Sequence, residues 1–214
     1  GFRPVGNLDG FAPTYGHTRK LVSPSDATPI YTGDPVTQLT TGYVTLSTAG
    51  SNQIHGIFVG CEYLSTSMQR KVWKAYWPGS DATGDVLAQV ISDPKVLFRV
   101  QANGSTPIGL ADIGTNANFA VGTPAQGNTA SGISYATLNQ GSLGTGATLQ
   151  FRIVALVQDP PGDNGTDITA ANNTLAGIRD AINGATGNPG IKASIVNATT
   201  GSHLVITAAG SGTA

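Results

Sequence analysis

The chain has 214 residues, 39% hydrophobic and only 11% charged, with a formal net charge of −1. That is enough apolar material for one core of ordinary size, or a core plus a small module, and it excludes disorder throughout. There is no basic surplus to draw nucleic acid or an anionic membrane surface, and no apolar run approaches the roughly 20 residues of a membrane span.

The opening segment, GFRPVGNLDG and on to residue 20, lacks the charged-then-apolar order of a secretion signal. Pro4, Gly6, Gly10, Pro13 and Gly16 interrupt regular structure, while Phe2, Val5, Leu8 and Phe11 stand as isolated apolar anchors beside Arg3. Such a segment cannot bury those side chains by itself. Residues 1–20 are therefore expected to form an extended arm that lies on a partner or a neighbouring copy, with Phe2, Arg3, Val5, Leu8 and Phe11 as its interface residues.

Residues 21–158 are dominated by short strand patterns. Candidates lie at 19–22, 29–31, 35–39, 43–46, 56–62, 70–76, 86–91, 96–101 and 148–158. Val96, Phe98 and Val100 alternate with Leu97, Arg99 and Gln101, the period of a sheet packed on one face. Turn residues recur at short intervals, as in Thr32-Gly33-Asp34-Pro35 and Pro78-Gly79-Ser80. This spacing predicts an antiparallel β-sandwich or β-barrel, and the lack of βαβ units argues against a nucleotide-binding α/β fold. Between residues 104 and 146 the chain turns polar and Gly/Thr/Asn-rich, which predicts long loops and an exposed hairpin around 123–137.

Composition shifts at Asp159-Pro160-Pro161-Gly162-Asp163-Asn164-Gly165, so 159–166 reads as a linker to a second unit at 167–214. There Leu175, Ile178 and Ile182 share one helical face, Asn173 or Thr174 can cap the helix start, and Gly184 can end it. Ile191, Ala193 and Ile195, then Leu204 and Ile206, alternate like the arms of a hairpin with its turn at 198–202. The second unit is expected to be small and α+β.

Catalytic patterns are missing. His17, His55 and His203 are scattered, with neither metal-ligand spacing nor neighbouring carboxylates. No GxSxG element is present, and the GSLGTG run at 141–146 precedes a strand pattern, so it offers no helix start for phosphate. Cys61 is the lone cysteine, which rules out a disulfide within the chain; in the apolar run IFVGC it reads as a small buried hydrophobe. Trp73, Tyr76 and Trp77 are interspersed with Lys71 and Lys74. Equal parity predicts Trp73 and Trp77 on one strand face with Tyr76 opposite. With no basic surplus, the trio reads as a core or oligomer-interface cluster and not as a nucleic-acid stacking platform. No enzyme activity, cofactor or metal is expected.

Four segments, GFRPVGNLDG at 1–10, the strand-rich run 54–100, ADIGTNA at 111–117 and LQFRIVALVQDPPG at 149–162, occur in an order that resembles the head decoration (cement) proteins of tailed bacteriophages. The resemblance spans roughly three quarters of the chain. It implies a homo-oligomer, dimer or trimer, that is made in the bacterial host cytoplasm and binds the major capsid protein on the outside of the mature virion head. In that family a DPxN turn leads to a last, closing strand, which is not recognisable here and leaves room for a longer natural polypeptide. Instead, NTLAGIRDAIN, GIKASIVN and GSHLVIT resemble the module repeated in bacterial flagellins and hook-associated cap proteins. That resemblance implies a projecting structural ornament. The alternative is a capsid-displayed adhesin for host-surface glycans.

Overall fold

A computed structural model of the chain describes residues 1–10, 16–50, 53–122, 125–157, 174–185, 190–198 and 201–208. The chain divides into two compact units, Gly1–Asn164 and Gly165–Ala214, with the division inside the expected 159–166 segment.

The first unit is built from short strands: β1 (Arg3–Asn7), β2 (Thr18–Val22), β3 (Ile30–Tyr31), β4 (Pro35–Gln38), β5 (Val44–Leu46), β6 (Gly56–Ser65), β7 (Arg70–Lys74), β8 (Tyr76–Trp77), β9 (Val86–Ile91) and β10 (Val96–Arg99). Its main sheet runs β2-β9-β6-β4-β5 and is antiparallel. The long strand β6 organises it. One edge of β6 carries β9, while the other is shared by β4 at its start and β7 at its end. Gly56 is required at that start, because a Cβ there would fall 2.4 Å from the carbonyl oxygen of Ile91.

Alternation explains which face is buried. Val86, Ala88 and Val90 of β9 point inward with Phe58, Cys61 and Tyr63 of β6, meeting Val22, Val36 and Val44 from the outer strands. Ile30 and Trp77, from the separate β3–β8 pair, complete this core. The sheet curls round it: Lys20 on the edge strand β2 donates to Gln38 Oε1 on β4, three strands along, at 3.2 Å. No ladder joins β2 to β5, so the described residues form an open, curled sheet and not a closed barrel.

A second core lies around Phe2, Ile57, Phe119 and Ala136, with Phe98 and Phe151 packed against it. Here the expected arm needs correcting. Its first residues are extended, but β1 pairs antiparallel with β10 and Phe2 is 3% exposed, so 1–7 belong to the unit's own fold. Thr18–Val22 is likewise a strand of the main sheet. The physical reason is that Phe2 finds an aromatic cluster assembled from distant parts of the same chain, which local sequence does not reveal.

Beyond β10 the elements are brief: β11 (Ala102–Asn103), β12 (Asn116–Ala117), β13 (Phe119–Ala120), β14 (Gly127–Asn128), β15 (Ile133–Ser134), β16 (Thr137–Asn139) and β17 (Phe151–Arg152). The β14–β15 hairpin falls within the expected 123–137 span. The strand expected over 148–158 shrinks to Phe151–Arg152, which pairs with β12; Ile153 is buried in a small third cluster with Ala117 and Leu138.

In the second unit α1 (Leu175–Gly184) precedes β18 (Ile191–Ala198) and β19 (Gly201–Ala208). Thr174 is the N-cap, its hydroxyl oxygen accepting from the Gly177 amide at 3.0 Å. The two strands form one antiparallel hairpin. The chain is thus mainly β, with a small α+β C-terminal unit.

Candidate interaction surface

The expected interface residues separate into three groups. Phe2 and Trp77 are core residues. Phe11 lies outside the described residues. Arg3, Val5, Leu8 and Trp73 are exposed, and Tyr76 is half-buried.

The aromatic trio departs from its expected geometry because the strand is not continuous. The chain bends at Ala75, so Trp73 belongs to β7 on the main sheet while Tyr76 and Trp77 form β8 against β3. Parity does not carry across that bend. Trp77 turns into the core, where its Nε1 donates to the Asp26 carbonyl at 3.0 Å and its ring meets Tyr63 edge-on. Tyr76 stacks on Tyr31 with centroids 5.3 Å apart. The Lys74 ammonium sits 5.7 Å from the Tyr76 ring centroid and 5.9 Å from that of Tyr63.

Trp73 is 61% exposed and stands on the outward face of the main sheet. Register places four residues in one row across it. Leu21 on β2 is opposite Leu87 on β9, Leu87 is opposite Glu62 on β6, and Glu62 is opposite Trp73 on β7. Leu64 is exposed on the same face, beside Lys71, which pairs with Glu62. The indole leans over Gly60: a Cβ at that glycine would lie 2.7 Å from Trp73 Cζ2. Gly60 therefore lets a large ring lie against the sheet, leaving the rest of it in solvent. An apolar row with an embedded ion pair suits protein contact better than proton transfer.

The turn between β6 and β7 is fastened by Asp81. Its carboxylate accepts from Ser65 Oγ at 2.8 Å, Thr66 Oγ1 at 3.0 Å and the Ser67 amide at 3.0 Å. Burial works against the charge, but the hydrogen bonds from Ser67, Ser65 and Thr66 outweigh it and hold the Asp81 carboxyl well below the usual range. At the other end of β7 the Lys74 ammonium lies 4.0 Å from the same carboxylate, so Asp81 meets both ends of the strand that carries Trp73.

A second exposed rim lies on β1. Arg3 is opposite Arg99 on β10, Val5 occupies a bulge between the paired Pro4 and Gly6, and Leu8 is 62% exposed. Directly opposed like charges cost a few tenths of a kcal/mol up to about 1 kcal/mol.

Among the described residues no group of three or more His, Cys, Asp or Glu converges to hold a metal ion. Cys61 is buried, its Sγ 3.7 Å from the Tyr76 carbonyl, and burial pushes its thiol up to about 12. Asp34 is buried as well, yet it serves the fold: its carboxylate accepts from the Tyr31 amide, Ser134 Oγ and Gln126 Nε2. No helix among the described residues is long and apolar enough to cross a membrane.

Leu21, Leu64 and Leu87 were not expected as surface residues. Their signal was present in the alternation of β2, β6 and β9, where outward positions carry leucine although a solvated strand face usually carries polar residues.

With this geometry established, comparison with known proteins bears on the C-terminal unit. Residues 162–210 match the flagellin hook IN motif. The match starts five residues ahead of the expected boundary at 167, within the expected linker. No curated protein and no solved structure matches the chain.

Proposed function

We propose that the protein is a non-catalytic bacteriophage head decoration protein that binds the outside of the mature capsid and stabilises it. The observation that carries this reading is the outward-facing Leu21–Leu87–Glu62–Trp73 row, in which Leu21 and Trp73 are exposed and Leu87 and Glu62 partly covered. The order of decoration-like segments in the sequence supports it, since they fall mostly within the first unit. In this reading the row and the Arg3–Val5–Leu8 rim face the major capsid protein or a neighbouring copy. The C-terminal unit projects outward. Binding only to the expanded shell stabilises that shell by mass action, because separating capsomers then requires releasing the bound protein.

The test is co-sedimentation of the purified chain with expanded and unexpanded capsids of the phage that encodes it. Saturable binding to expanded capsids is expected, and Trp73→Ala should abolish it. A protein that ignores both capsid forms contradicts the proposal. The second reading, a glycan adhesin, is favoured by the separate flagellin-type unit; glycan-array binding that survives Trp73→Ala and is lost on removing residues 165–214 would select it.

A further inference from the structure

The chain is poor in charge, and most of its charges are already matched. Every carboxylate described in the first unit accepts from an amide, hydroxyl or ammonium group of that unit. Lys71, Lys74 and Lys95 each face a carboxylate. Arg3 and Arg99 differ: among the described residues their side chains make neither an ion pair nor a hydrogen bond.

These two arginines lie directly opposite each other on β1 and β10. Side chains so placed have Cβ atoms roughly 5 Å apart, and like charges there repel. Phe98, next to Arg99, turns into the second core, so Arg99 points outward together with Leu97, two residues before it. Gly6 is opposite Leu97 and has no side chain to cover it; Val5, in the bulge, is 55% exposed and Leu8 62%. Leu8 donates its amide to the Lys95 carbonyl at 2.8 Å, and the Lys95 ammonium is neutralised by Asp9. This two-stranded sheet therefore presents two unmatched guanidinium groups at one end, apolar side chains beside them and a closed ion pair at the other end.

We propose that Arg3 and Arg99 together grip a carboxylate of a partner protein, whose apolar neighbours cover Leu97, Val5 and Leu8. A carboxylate has two oxygens, and each accepts from a different guanidinium, which turns the repulsion between the arginines into a shared attachment. A second copy of this chain is a poor occupant, because the described carboxylates of this unit are already taken. A polyanion such as nucleic acid also fits poorly: only two unmatched cations stand together, and apolar residues follow them where a phosphate backbone would need more. The inference deepens the capsid reading by naming what the partner presents, and it rests on that reading for the partner's identity: an acidic side chain with apolar neighbours on the capsid surface.

The test uses the full chain and has two arms. In the first, R3Q and R99Q are co-sedimented with expanded capsids. Each is expected to weaken binding roughly tenfold or more, the scale of a lost hydrogen bond to a charged group, while its thermal midpoint holds or rises because the repulsion is gone. R99K, which keeps the charge but not the fork, should lie between. A purely structural role would lower binding and midpoint together. The second arm needs no capsid: the arginine Nε–H signals of the isotope-labelled chain are followed during titration with the peptide Glu-Leu-Glu-Leu-Glu, with Gln-Leu-Gln-Leu-Gln and inorganic phosphate as controls. Arg3 and Arg99 should shift together and saturate with the acidic peptide alone, and R99Q should abolish the Arg3 response. Unchanged capsid binding by R3Q and R99Q overturns the inference and leaves the decoration reading standing. A wild type that ignores capsids but answers the acidic peptide overturns the decoration reading and supports the carboxylate site. No response to that peptide, or an equal response to phosphate or to the glutamine peptide, overturns the inference.

Discussion

The ring of Phe2 lies face to face on that of Phe151, centroids 4.5 Å apart and planes within 22°, while its edge approaches Phe98. Two regions almost 150 positions apart in sequence thereby share one core. Phe2→Ala should destabilise the first unit by about 3 kcal/mol, the scale of losing a buried aromatic. Urea denaturation followed by Trp fluorescence measures this. A change indistinguishable from wild type would return the segment to the status of a free arm.

Asp34→Ala should cost about 3 kcal/mol, because it strands the Tyr31 amide, Ser134 hydroxyl and Gln126 amide in a buried site. Burial, only partly offset by the bonds from Ser134, Tyr31 and Gln126, raises the Asp34 pKa. The same denaturation midpoint reports the loss, with the m-value unchanged.

His55 should make the first unit acid-sensitive. Burial, assisted by nearby Lys20, lowers its pKa, and its buried Nε2 has no hydrogen-bond partner among the described residues. A lowered folded pKa favours the neutral ring. Its contribution is therefore complete above the unfolded value of about 6.5 and is lost as pH falls through the lower folded value. His55→Gln should flatten that part of the stability-versus-pH curve; a variant with the same slope as wild type would show that another group is responsible.

Trp73→Ala should change stability by less than about 1 kcal/mol, since most of the indole faces water. Gly60→Val should displace the ring and weaken capsid binding while Trp73 remains in the sequence. Comparing thermal midpoints with capsid occupancy separates surface from fold. Equal occupancy for wild type and both variants would remove this face from the binding interface.

Truncation after Asn164 should leave the first unit folded and able to saturate expanded capsids with nearly unchanged affinity, because the compact unit ends there. Loss of binding by a folded truncation would place the flagellin-type unit in the attachment surface.

Local patterns in the sequence were most informative where a strand had both regular alternation and one packed face. The 86–91 strand is found at those bounds because Val86, Ala88 and Val90 all enter one core. The helix start was readable to within two residues, Asn173 or Thr174, because a capping side chain ahead of a helical stripe has a short-range role; Thr174 takes it. Two other expectations depended on distant contacts. Phe2 resembled a loose anchor because Phe98, Phe119 and Phe151 come from far along the chain. Trp73 and Trp77 could not be assigned to different environments by counting, since one bend at Ala75 resets the side-chain direction. The candidate surface was legible only through Trp73; its leucines become a row once register sets β2, β9, β6 and β7 side by side.

Asn183 donates through Nδ2 to the Ala193 carbonyl and accepts through Oδ1 from the Ala193 amide, which covers the β18 edge at that residue. A hairpin with two equally available edges can take up copies at either side and grow into a fibril. Here the helix carries its own stopper: a newcomer at Ala193 would have to expel the amide that mimics a strand.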